Sequence, residues 1–295
     1  MKKIVTFFLV VFCFPVGVSA AFVTISGTVL SSVAEQPLIH VELLVDGELA
    51  SETNLTGEFE ISKIESGNVL RVKKDGYVGI SAIPNEISEE LVFHLAPVWK
   101  LDSATQIYTD ISDTDWFEPS VRSIYEMHAL SASKSEEFRP ADKLTRGELA
   151  MLVVNAAGFL PIDIPETSFC DVSFDDKFAS AVEFMFIQNW INGYDSESCE
   201  LGRTFNPAEP VSRAAAVKMI LAVFGDLVRS KIQHQVCFSA EFEDVPIDSW
   251  FAEFVNNANC LGIVKGYDDG YFRPANSINR AEIAAVLANV FKKLF

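Results

Sequence analysis

The sequence predicts two folds in one chain: a small all-β sandwich followed by an all-α helical bundle built from three repeats. Between residues 22 and 97, short alternating apolar and polar runs are separated by Gly47, Gly57, Gly67 and the pair Asp75-Gly76. This is the punctuation of a small antiparallel sandwich. Beyond residue 108 the apolar spacing becomes helical, and Arg146, Arg213 and Arg280 recur every 67 residues. Eight residues before each arginine stands a phenylalanine, Phe138, Phe205 or Phe272, each followed by x-Pro. Self-similarity at a fixed period indicates a repeat array.

The first twenty residues read as an export signal: Lys2 and Lys3, an apolar stretch from Ile4 to Phe14, then Val18-Ser19-Ala20 as a small-residue cleavage site. That stretch is shorter than the roughly 20 residues a membrane span requires, and Cys13 does not sit in a lipoprotein cleavage box. The expected product is a soluble exported chain with no membrane span after signal removal. Its formal charge of −18 before processing argues against nucleic acid, whose binding needs clustered lysine and arginine. An anionic partner must then be held by a local cationic pocket, because the long-range field opposes it. Four cysteines follow the signal, Cys170, Cys199, Cys237 and Cys260. In an exported chain they suggest two disulfides, and we favour Cys170 with Cys199 and Cys237 with Cys260, each pair lying within or beside one repeat. Without a C-x-x-C pair and with scattered histidines, the metal alternative is weak.

In the amino-terminal module, strands are expected at Val23 to Leu30, Ile39 to Val45, Glu58 to Ile61, Val69 to Lys73 and Leu91 to Leu95. The segments I-S-G-T-V, P-L-I-H-V-E-L-L-V, T-N-L-T-G-E-F-E-I and V-L-R-V-K-K-D-G-Y together resemble the carboxypeptidase regulatory-like β-sandwich family. That resemblance implies an accessory spacer or adhesion unit over residues 22–97. His40 and His94 lie in strand-like runs with no acid or cysteine at ligand spacing and read as structural. Residues 98–107 read as a linker.

The repeats span 108–160, 168–225 and 241–295. Repeat one opens Tyr108-Thr109-Asp110-Ile111, carries Trp116 and Phe117, and has a first helix from about Pro119 to Leu130. Its second helix begins Thr145-Arg146-Gly147-Glu148, a capping box in which Thr145 and Glu148 satisfy each other's backbone donors. Repeat two opens Phe169-Cys170-Asp171-Val172, with a first helix near Phe178 to Trp190. After Gly193-Tyr194-Asp195 it carries an insertion with Cys199, and its second helix starts Ser212-Arg213-Ala214-Ala215, lacking the glutamate of the box. Repeat three is the most complete: Asp248 or Ser249 is expected to cap its first helix, Gly262 to end it, and Asn279 to cap the last.

F-E-D-V, W-F, L-G-I-V-K-G-Y-D-D-G-Y-F-R-P and I-N-R-A-E in repeat three, with their weaker counterparts upstream, resemble the S-layer homology repeat over residues 108 to 291. The resemblance implies a pseudo-threefold helical bundle whose inter-repeat grooves bind anionic cell-wall polysaccharide, often carrying pyruvate ketals, and so anchor an exported protein to the cell surface. It assigns Arg146, Arg213 and Arg280 to the acidic sugar, with Glu148 and Glu282 of the same motif, Trp116 and Trp250 as the early tryptophans, and Gly266 in the glycine-bearing turn. Repeat one departs from the pattern with Gly147 and no glycine turn, repeat two with Ala215.

Independently of the family, an arginine at a helix's first position faces the positive end of the macrodipole and costs a few tenths of a kcal/mol. Recurrence three times asks for a reason. One is an anion bound by free helix-start N–H groups and a guanidinium fork. The other is pairing with Asp110, Asp171 or Asp244 to stitch each unit. Trp116 and Trp250 at the start of amphipathic helices read more readily as core than as a sugar platform. No G-x-S-x-G, H-E-x-x-H or phosphate-cradling loop occurs, and Asp268-Asp269-Gly270 fails the calcium-loop spacing. The expectation is a protein that is not an enzyme and uses no cofactor. The competing reading is a structural S-layer protein that assembles through contacts with other surface-layer proteins and binds no glycan.

Overall fold

The computed structural model describes residues 22–32, 35–65, 67–83, 91–98, 106–130, 136–159, 166–233 and 242–294. The export signal, most of the linker and Cys237 lie outside them.

Seven strands come first: β1 (Phe22–Ser31), β2 (Glu42–Val45), β3 (Glu48–Glu52), β4 (Glu58–Glu65), β5 (Leu70–Lys73), β6 (Ile80–Ala82) and β7 (Leu91–Leu95). They form two sheets, β4-β1-β7 and β3-β2-β5-β6. Alternation decides what each strand buries: Leu91, Phe93 and Leu95 of β7 point inward between the half-buried Val92 and His94. Ile25, Val29, Phe59 and Ile61 from the first sheet join Leu43, Leu70 and Val72 from the second in one core, which makes the pair of sheets a sandwich. The sandwich is not purely antiparallel, because β1 pairs in parallel with β7. In β4 the inward residues run Phe59, Ile61, Ile64; the extra residue coincides with a register shift against β1 and with Lys63 at φ 65°.

Sequence periodicity missed β3 and β6, and each has a physical reason. Strand β3 buries almost nothing, so Glu48, Leu49 and Ala50 show no apolar alternation. Strand β6 is three residues long, and residues 157–159 lie alongside it. There Ser81 N–H donates to Gly158 O at 3.0 Å and Ser81 Oγ to Ala157 O at 2.6 Å. Arg71, 2% exposed, donates to Ser81 Oγ and lies over the Phe159 ring. Residues 157–159 thus belong to the same compact unit as the sandwich.

The second unit is helical: α1 (Glu118–Glu126), α2 (Arg146–Ala156), α3 (Ala179–Ile187), α4 (Arg213–Val223), α5 (Gly225–Gln233), α6 (Ala252–Cys260) and α7 (Arg280–Leu294), with a two-residue hairpin, β8 (Tyr194–Asp195) and β9 (Arg203–Thr204), between α3 and α4. The caps read from sequence on the second helices are present. Glu148 N–H donates to Thr145 Oγ1 while Glu148 Oε2 accepts from Thr145 N–H. Asn279 and Glu282 exchange the same two bonds at the start of α7. Ser212 Oγ accepts from Ala215 N–H at α4, where no glutamate returns the bond. Of the first helices, α6 starts later than expected, at Ala252, while α1 and α3 start within a residue of the expected positions. Phe117, Phe178 and Phe251 take the cap position with no side-chain hydrogen bond, and Ser249 turns its hydroxyl to Pro246 O instead of capping α6. Gly262, at φ 68°, follows α6 in the left-handed region that favours glycine.

Packing follows a cyclic order. Helix α2 packs on α3, α4 on α6, and α7 on α1. At the centre, Val211 N–H donates to Leu144 O, Ile278 N–H to Val211 O, and Leu144 N–H to Ile278 O, at 2.9–3.1 Å. These three residues are spaced by 67 and nearly fully buried. Their main chains satisfy one another, as buried amides must be satisfied.

Candidate functional site in the helical unit

The same circular order fixes the three arginines. Arg146 Nε donates to Phe205 O at 2.9 Å, Arg213 Nε to Phe272 O at 3.0 Å, and Arg280 Nε to Phe138 O at 2.6 Å. Each guanidinium also lies over the ring of the phenylalanine it serves, at 4.6, 4.9 and 5.1 Å from the centroid. The recurring arginine therefore has a structural reason: it locks its own repeat onto the x-Pro turn of the next.

Two expectations are corrected by this geometry. The first is that the arginines pair with Asp110, Asp171 and Asp244. Those aspartates are spent elsewhere, each accepting two backbone N–H groups at 2.6–2.8 Å, from Phe138 and Arg139, Phe205 and Asn206, and Phe272 and Arg273. The second residue of each pair sits at φ 55–59°, so the carboxylate holds a left-handed turn that only a few non-glycine residues adopt. The second correction concerns free amides at the helix starts. Arg146 N–H donates to Glu209 O, Arg213 N–H to Asn276 O and Arg280 N–H to Asp142 O, and the next amide of each helix donates to Pro207, Pro274 or Pro140. An anion at these sites would be met by guanidinium groups and not by a ring of helix amides.

The three grooves differ in what closes them. Arg146, 9% exposed, is held between the rings of Phe205 and Tyr194. Burial pulls its pKa down, with Tyr194 and Asp171 opposing. Arg213, 8% exposed, gives Nη1 to Glu282 Oε1 at 3.3 Å and lies over Tyr267, whose hydroxyl donates to the same oxygen at 2.9 Å. Burial is also the first cause raising the Tyr267 pKa. Arg280 is only half-buried and lines an open cleft of ≈ 740 Å³ with Tyr108, Phe138, Arg139, Glu148 and Lys177. Its two terminal nitrogens have no hydrogen bond among the described residues. Glu148, a sequence candidate, reaches the same cleft but spends Oε2 on Thr145.

Trp116 and Trp250 are 66% and 58% exposed, standing edge-on to Phe117 and Phe251. They are surface rings, not the core residues that amphipathic periodicity favoured. Gly266 is explained by packing: a Cβ there would run into the Phe242 ring and come within 3.0 Å of Tyr271 O. Lys177 was missed in the sequence although a signal exists. It stands six residues after Asp171, as Trp116 and Trp250 stand six after Asp110 and Asp244. The expected disulfide between Cys170 and Cys199 is present. Cys260 is also disulfide-bonded, but its proposed partner Cys237 lies outside the described residues.

Comparison with known families supplies the rest. The model of the S-layer homology domain matches residues 107–150 and 241–284. Both segments are S-layer homology domains. The intervening repeat, unmatched by that model, shares their arginine, aspartate and phenylalanine bonds. The chain is similar to a cellulosome-anchoring protein of Acetivibrio thermocellus, 26% identical over 153 residues, covering 51% of this chain and 32% of that one. It is also similar to S-layer protein EA1 of Bacillus anthracis, 25% identical over 194 residues and covering 65% and 21%. A third relative is exoglucanase XynX of A. thermocellus, 22% identical over 186 residues and covering 63% and 16%. The chain spans less than a third of the length of each. No helix among the described residues is long and apolar enough to cross a membrane.

Proposed function

We propose that this chain is a non-catalytic anchoring protein whose three S-layer homology repeats form a pseudo-threefold bundle and bind an anionic cell-wall polysaccharide. The matched domains and the cell-surface relatives put it in the cell envelope as a secreted protein. The ring of Leu144, Val211 and Ile278 supports the threefold arrangement. The observation that carries glycan binding is Arg280, whose guanidinium ends are unpaired among the described residues at the edge of an open cleft. A planar cationic fork of this kind suits a carboxylate. Exposed Trp116 and Trp250 offer flat apolar faces of the type sugars stack on. The sandwich is then the part displayed at the surface.

The experiment is co-sedimentation of the full chain with purified wall polysaccharide, untreated and after removal of its acidic substituents. Sedimentation with untreated polymer alone is the expected result. Equal sedimentation with both would remove the acidic groups from recognition, and sedimentation with neither would replace the glycan reading by one of protein–protein assembly.

A further inference from the structure

We propose that the acidic group of the ligand is taken at the Arg280 cleft alone, and that Lys177 sets specificity there by holding a second charge where the other repeats present a tryptophan. This rests on the anchoring reading and goes further, since it assigns unequal roles to three grooves that the repeats make look alike.

The three arginines differ in what they have left to offer a ligand. Arg213 already meets a carboxylate, Glu282, with only 9% of its side chain accessible, so an incoming acid would have to displace an internal one that Tyr267 also holds. Arg146 has no such partner, because Ala215 stands where Glu148 and Glu282 stand in the other repeats. It is instead covered by Tyr194 and Phe205 on its two sides, an enclosure that suits a cation but admits no ligand. Arg280 alone combines exposure, unpaired terminal nitrogens among the described residues and an adjoining cleft.

Lys177 then distinguishes this cleft chemically. The equivalent Trp250 is a broad exposed ring with Lys218 lying 5.6 Å from its centroid. At the Arg280 cleft the ring is replaced by an exposed ammonium on a flexible stem. A ligand there is gripped by charge at two points and forgoes ring stacking. Lysine tolerates varied anion geometry, whereas the arginine fork demands a planar one. Glu136 and Glu137, exposed on the same rim, disfavour a densely charged polyanion. The ligand class is accordingly a glycan bearing separated carboxylates.

The test is titration of the full chain with purified wall polysaccharide, native and carboxyl-reduced, at low and high salt. Lys177 is exposed, so Lys177→Met and Lys177→Trp leave the fold intact, and circular dichroism checks this for Arg280→Gln. Lys177→Met should weaken binding up to about fivefold and flatten its salt dependence. Arg280→Gln should weaken it by about 10- to 100-fold. Lys231→Met, at an exposed lysine of α5 that does not line this cleft, should change neither affinity nor salt dependence. Unchanged affinity and salt dependence in Lys177→Met, or an equal loss in Lys231→Met, overturns the proposal while leaving anchoring in place. Wild-type protein that binds neither polymer overturns the anchoring reading itself.

Discussion

Arg280 Nε and the carbonyl oxygen of Phe138 are hydrogen-bonded although 142 residues separate them. With the bonds from Leu144 to Ile278 and from Ala281 to Pro140, this contact returns the last repeat to the first. A linear solenoid tolerates loss of a terminal unit, because each repeat touches only its neighbours. A closed ring does not. Deletion of residues 242–295 should therefore unfold repeat one as well, leaving a broadened, low-temperature transition. Hydrogen exchange of α1 and α2 in the truncated chain reads this directly; protection equal to that of the full chain would show that the ring is dispensable.

Asp244 accepts the N–H groups of Phe272 and Arg273 at 2.8 and 2.6 Å, and Arg273 is held at φ 59°. Asp244→Ala leaves two backbone donors without their charged acceptor. It should cost about 2–4 kcal/mol, at about 1.5–3 kcal/mol for each hydrogen bond to a charged group and some recovery by water. Urea unfolding measures the loss. Asp244→Asn retains one acceptor oxygen and should fall between the alanine variant and wild type.

The repeats were legible in sequence because their motifs are local: Thr145 and Glu148, or Asn279 and Glu282, lie three apart and cap the same helix. The β7 strand was legible because Leu91, Phe93 and Leu95 alternate strictly. Helix α5 was not anticipated; it follows α4 after Phe224 alone and buries only Asp226, Leu227 and Val228, too short a stripe to declare a period. The arginine contacts were illegible for a different reason. Spacing showed that three arginines were equivalent, but not that each reaches 59 residues forward, or 142 back, to a carbonyl. A side chain bound to main chain leaves no residue-type signature in its partner. The tryptophans misled because Phe117 and Phe251, one residue later, take the inward position.

Gly147 lies within α2, where alanine normally stabilises a helix by about 0.5–1 kcal/mol relative to glycine. Here a Cβ would meet the Phe178 ring at 2.8–3.0 Å, and Phe178 is the residue just before α3 of the next repeat. The sign should reverse: Gly147→Ala is expected to lower stability by about 1–3 kcal/mol, the cost of overpacking. The double variant Gly147→Ala with Phe178→Leu should recover part of that loss in thermal melts, since it makes room at the same contact.

Tyr108 is buried against Phe138, and burial, opposed by Arg280, pushes its pKa from 10.0 to about 12. The folded state holds this proton more tightly than the unfolded chain. Its contribution is therefore complete below pH 10 and lost as pH rises toward 12. Stability measured by urea titration should fall across that window in the wild type. Tyr108→Phe should show a shallower decline, and an identical slope would remove Tyr108 from the cause.

The Cys170–Cys199 bridge spans 29 residues and ties the insertion of repeat two to its opening turn. Cys199 is followed by β9, whose Thr204 pairs with Tyr194, and Tyr194 covers Arg146. The bridge thus stands one short hairpin away from the seal on that arginine. Breaking it should cost about 2–4 kcal/mol through the freed unfolded chain, a loss any well-placed disulfide would give. A second effect is local. In Cys170→Ser with Cys199→Ser, amides of residues 194–204 should exchange faster than those of α7, because the two-residue strands β8 and β9 are too short to hold a hairpin unaided. Uniform acceleration across both segments would mean that the bridge stabilises the fold as a whole and has no particular hold on the Arg146 groove.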